Sequence, residues 1–67
     1  MWTVVYIAQT KTKADKIKDA LTSEGLLVTL RGLGTTDTDN MPKAVEVLVP
    51  ESEAEEAHEI IHNILSV

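Results

Sequence analysis

The chain has no cysteine. Disulfides and thiolate metal sites are therefore excluded, and cysteine usage says nothing about the redox compartment. Trp2 and Tyr6 are its only aromatic residues, too few for a platform on which nucleobases could stack. No run approaches the roughly 18 apolar residues of a membrane-spanning helix. Residues 1–8 are apolar but have neither a basic leader nor a cleavage site, so they do not read as a secretory signal. The expectation is a cytoplasmic, soluble protein with no membrane partner. No serine can be paired with a base by a recognisable motif, so nucleophilic catalysis has no starting point here.

Lysine and arginine are missing from residues 44–67, which carry six acidic residues and a charge of −6. Residues 1–43 carry +1, and the whole chain −5. A nucleic-acid partner needs a basic footprint, which this chain does not offer. The one basic cluster, Lys11, Lys13, Lys16 and Lys18, is interrupted by Asp15 and Asp19 and reads as a solvated helix face.

What is present is one strand-to-helix unit written out in full. Val45, Val47 and Val49 alternate with Glu46 and Leu48, and Pro50 ends the strand because proline has no N–H for the ladder. Ser52 with Glu55 has the spacing of a capping box and predicts a helix, whose stripe is Ala54, Ala57, Ile61, Ile64 and Leu65. Upstream, residues 2–8 are aromatic and β-branched and predict a strand. Thr10 or Thr12 then caps a helix with Ala14, Ile17, Ala20 and Leu21 on its buried side, ended by Gly25 in the left-handed conformation. Residues 26–31 predict a second strand and residues 32–43 a loop, rich in Gly, Thr and Asp.

The order is βαββα in a single domain spanning residues 1–67. Two strands joined by a helix run parallel, and two joined by a loop run antiparallel. If the third strand lies between the others, the result is an α+β ferredoxin-like split sheet of order 1-3-2, lacking the last strand, with both helices on one face.

The other face of that sheet is not polar enough for water. Trp2, Val4, Tyr6, Leu27 and Leu48 fall on it by alternation, with Arg31 and Glu46 as an ion pair. A half-solvated antiparallel sheet alternates cleanly, and a large apolar patch on a small protein marks an interface. Sixty-seven residues bury only about 60% of their unfolded surface, and such folds usually add a disulfide, a metal or a partner chain. A homo-oligomer, in the first instance a homodimer, is the expectation.

Two constellations carry chemistry on paper. His58-Glu59-Ile60-Ile61-His62 spells H-E-x-x-H, in which histidines one helical turn apart bind zinc and the glutamate activates the metal-bound water. A catalytic zinc needs a third protein ligand, and only five residues follow His62. A third ligand would have to come from an upstream loop or another chain. The plainer reading is a pair of boundary histidines on an acidic amphipathic helix, with no metal and no cofactor required.

The second is the loop. Gly32 and Gly34 open it, and Thr35, Thr36, Asp37, Asp39 and Asn40 offer hydrogen-bonding groups for a protein or small-molecule ligand. No helix follows to offer N-terminal amides to a phosphate, and the acids do not have EF-hand spacing. Its twelve residues exceed the roughly two to five of a hairpin loop, and long loops are often functional.

The layout of a short apolar strand, an Ala14-containing helix, Glu24-Gly25-Leu26, and then residues 45–51 followed by Ala54 and Ala57 resembles a family of small prokaryotic signal-transducing proteins, related in fold to PII-like nitrogen regulators. The resemblance covers nearly the whole chain. It implies a bacterial, ferredoxin-like, oligomeric protein with a regulatory or binding role rather than catalysis. It also implies partner contacts through the loop between the second and third strands. The alternative is a metal-dependent hydrolase or a metal-sensing module built on His58, Glu59 and His62.

Overall fold

The computed structural model describes residues 1–35 and 42–65, with backbone alone for residues 34, 35, 42 and 43. The elements are β1 (Trp2–Ala8), α1 (Lys11–Ser23), β2 (Thr29–Thr35), β3 (Pro42–Pro50), a single 3-10 turn (Glu51–Glu53) and α2 (Ala54–Leu65). The sheet order is β1-β3-β2, and β3 is antiparallel to both neighbours. This is the βαββα split sheet expected from the element order.

The central strand owes its position to composition. Residues 45–49 are all buried, and its two prolines sit at its ends. At an end a missing N–H costs the ladder little; in the middle it would leave a neighbour's carbonyl unpaired. Val45, Val47 and Val49 point to one face and pack against Ala14, Ile17 and Leu21 of α1 and Ala57 and Ile61 of α2. Both helices therefore cover the same side, and one core joins them to the sheet.

The caps of α1 follow from its flanking residues. Thr10 is extended and its hydroxyl oxygen accepts the Lys13 N–H at 3.1 Å. At the other end Gly25 adopts φ +90°, and its N–H reaches the Thr22 carbonyl while the Leu26 N–H reaches that of Leu21. This is the paired 5→2 and 6→1 closure, and it drops Leu26 into the core. A Cβ at Gly25 would meet no atom within 4 Å. Gly25→Ala should therefore cost only the strain of a left-handed backbone, about 1–2 kcal/mol, read as a lower urea midpoint with an unchanged slope.

Three expectations are corrected. Ser52 does not cap a helix: it lies in the 3-10 turn, which starts at Pro50 with no side-chain cap bond. The carboxylate used there is Glu53, whose Oε1 accepts the Leu27 N–H at 2.9 Å and ties the turn to the chain ahead of β2. Second, β2 starts later and runs further than expected. Gly32, Gly34 and Thr35 belong to it, with Gly32 opposite Val45 and Thr35 opposite Pro42. Cross-strand pairing with β3 overrides the turn propensity of the glycines. Third, Ile64 and Leu65 are exposed, and Ile60 packs on the core beside Ala57 and Ile61.

The decisive irregularity is in β1. Val4 pairs with Leu48 but Tyr6 with Val47, so two steps on β1 match one on β3. This is a β-bulge, with Val5 as the extra residue. Both Val5 and Tyr6 then pack against the core, and Ile7 turns outward at 53% exposure.

Candidate functional site: the open face of the sheet

The side of the sheet without helices is organised in rows by the pairing. Trp2 lies opposite Pro50, Val4 and Thr29 flank Leu48, and Ile7 and Arg31 flank Glu46. Trp2, Val4 and Ile7 are 47, 37 and 53% exposed, and Leu27, just ahead of β2, is 62% exposed. Leu48 and Glu46, at the centre of the sheet between β1 and β2, are nearly buried.

Arg31 Nε donates to Glu46 Oε1 across adjacent strands. The carboxylate is sheltered and the guanidinium side chain is 62% exposed. The face is thus apolar, with one balanced ion pair. Of the residues expected here, the pairing places Trp2, Val4 and Leu48 on it, while Leu27 is exposed ahead of β2, outside the paired ladder. Tyr6 is not: the bulge turns it to the helix side, and Ile7 takes its place. Nothing in residues 2–8 could have shown this by alternation, because the stretch is apolar at nearly every position.

His58 and His62 are both exposed on α2, one turn apart. Among the described residues no group of three or more His, Asp or Glu side chains is placed to share a metal ion. Neither histidine is near a third ligand of that set. His58→Ala and His62→Ala should each change stability by less than about 1 kcal/mol, as exposed positions usually do. A larger loss in a thermal melt, reversed by zinc, would show a structural metal site.

A groove of about 670 Å³ lies between the end of α1 and α2. Ala20, Ile60 and Ile64 line it together with Glu24, Glu56 and Glu59. Neither His58 nor His62 lines it, so Glu59 and the two histidines face different surroundings. The sequence gives only a faint sign of this groove: Ala20 is the small member of the α1 stripe.

Of the expected ligand loop, Gly32, Gly34 and Thr35 are in β2. Thr36, Asp37, Asp39 and Asn40 lie outside the described residues. No described helix is long and apolar enough to cross a membrane. Comparison with known protein families, curated proteins and solved structures finds no match to this chain.

Proposed function

We propose that this chain is a small non-enzymatic interaction module of regulatory type that works as an oligomer through the open face of its sheet. The observation that carries this reading is the row of Trp2, Val4 and Ile7, exposed together on a sheet whose opposite face is fully packed. A strand that faces water on one side normally places polar residues there. Here β1 spends every outward position on an apolar side chain, and the bulge preserves that by turning Ile7 out in place of Tyr6. Burying such a patch is worth roughly 25 cal/mol per Å², which a 67-residue domain with little reserve can use.

The resemblance to small prokaryotic signal-transducing proteins points the same way, toward binding and assembly. Sedimentation equilibrium from low to high micromolar concentration tests the reading. A reversible oligomer is expected, and a folded monomer at about 100 μM, with an affinity weaker than about −5.5 kcal/mol, removes its basis.

The exposed pair His58 and His62 keeps one alternative in view, a metal-sensing module or metal-dependent hydrolase. Stoichiometric zinc in protein purified without added metal would favour it. Loss of turnover in Glu59→Gln would then separate the hydrolase from the sensor.

A further inference from the structure

The open face has two free edges beside it, and association could use either an edge or the face. The edges are poorly suited. The bulge at Val5 breaks the regular spacing of β1, and Gly32 and Gly34 weaken β2 without interrupting it. Bulges and weak edge strands are the usual means by which sheets avoid edge pairing. That leaves the face.

The charge distribution indicates what covers it. Residues 51–65 carry five glutamates and no lysine or arginine. Glu55, Glu56 and Glu59 lie on α2, on the side of the sheet away from Leu48 and Glu46, while Glu51 and Glu53 lie in the turn that ends β3. Among the described residues the open face carries one cation and one anion, Arg31 and Glu46. The helix side carries mixed charge, Lys11, Lys13, Lys16 and Lys18 of α1 beside the glutamates of α2, so either sign of partner would find charges there. A surface that is apolar and neutral, with its two opposite charges side by side, is complementary to itself under a two-fold rotation.

Two copies packed sheet to sheet would also keep their acidic helices roughly 30 Å apart, about one sheet spacing plus a layer on each side, well beyond the ~8 Å screening length of physiological salt. The dimensions allow it. The chain measures 37 × 30 × 15 Å, a slab whose sheet side is a broad face. Three strands about 4.8 Å apart and seven to nine residues long present a face on the order of 400 Å², so covering it makes an interface at the low end of the specific range.

We infer that a second copy of this chain packs on the open face about a two-fold axis, with Arg31 of each copy set against Glu46 of the other as well as its own. This rests on the proposed role of the face in association and adds its occupant and its charge register. The guanidinium has donors to spare after its single bond to Glu46. Its exposure leaves them free to reach across.

Charge exchange tests the register. Arg31→Glu leaves the face with two negative charges, and Glu46→Arg leaves it with two positive ones. Each variant alone should associate at least tenfold more weakly than the native chain. An equimolar mixture should recover a one-to-one dimer by sedimentation. Circular dichroism reports whether each variant is folded. A second variant does not depend on the single changes being tolerated. The double variant Arg31→Glu/Glu46→Arg keeps an ion pair within each copy, with its polarity reversed. It should dimerise with itself but exclude native copies, which can be followed by subunit exchange between tagged and untagged chains. Free exchange in statistical proportion would overturn the inferred register. If the native chain is a dimer that Val4→Asp dissociates while exchange is unrestricted, the face is the interface and only the register is wrong. If the native chain is a monomer, the association reading falls with it.

Discussion

Val4→Asp is expected to abolish self-association while leaving a folded chain. Val4 is 37% exposed and pairs with Leu48 across the sheet. In an isolated copy a carboxylate at this position still reaches water, so the fold loses about 1 kcal/mol, the span of strand preference. In a face-to-face dimer two such carboxylates, one from each copy, enter a desolvated apolar layer with no added partner. Several kilocalories per mole for each buried ion is the expected penalty. At about 1.4 kcal/mol per factor of ten, the dissociation constant rises by roughly a thousandfold or more. Sedimentation at increasing concentration should show monomer throughout, with a native far-UV spectrum. Thr22→Asp, exposed on α1, adds the same charge on the helix side and should leave the oligomer unchanged. Equal behaviour of the two variants would place the interface away from the sheet.

The second large effect is in the core. Leu21→Ala should leave the chain largely unfolded at low concentration. Leu21 has no exposed surface and lies among the side chains joining α1 to the sheet. Its carbonyl also accepts the Leu26 N–H at 3.1 Å, so a collapse around the cavity would disturb the turn that closes the helix. Truncations of this kind cost about 2–5 kcal/mol, and a domain of this size has only about 3–10 in total. If the native state is an oligomer, the loss should be partly recovered by raising protein concentration, because binding of a second copy stabilises only the folded chain. Urea titration at two concentrations checks both statements. A loss below about 1 kcal/mol, independent of concentration, would mean that the core relaxes into the space and that folding is not coupled to association.

How much of this was legible can be seen residue by residue. Val45, Val47 and Val49 announce the buried face of β3 through period-two spacing, and Ala14, Ile17 and Leu21 announce that of α1 through helical spacing. Thr10, one of the two threonines able to cap, and Gly25, able to take a left-handed φ, mark the ends of α1. The strand order 1-3-2 is one that a helical connection followed by a loop allows. The ion pair of Arg31 and Glu46 follows from the register once the strands are placed.

Other features depended on contacts far apart in the chain. Ser52 and Glu55 have the spacing of a cap, yet a 3-10 turn forms there, and Glu53 bonds instead to Leu27, 26 residues away in sequence. Gly32 and Gly34 have turn chemistry, yet they lie in a strand because β3 offers them a paired ladder. The groove between α1 and α2 exists only through the way two helices meet.

The sequence by itself determined the element order, the relative strand directions and the identity of one buried face, because each rests on local periodicity and on chain connectivity. Only the tertiary structure decided which side chains of β1 form the open face. Alternation is informative where polar and apolar residues take turns, and residues 4–8 are all apolar. Any register is then acceptable locally, and pairing with β3 chooses among them. It inserts a bulge at Val5, sends Tyr6 to the helices and leaves Trp2, Val4 and Ile7 facing outward around a neutral ion pair.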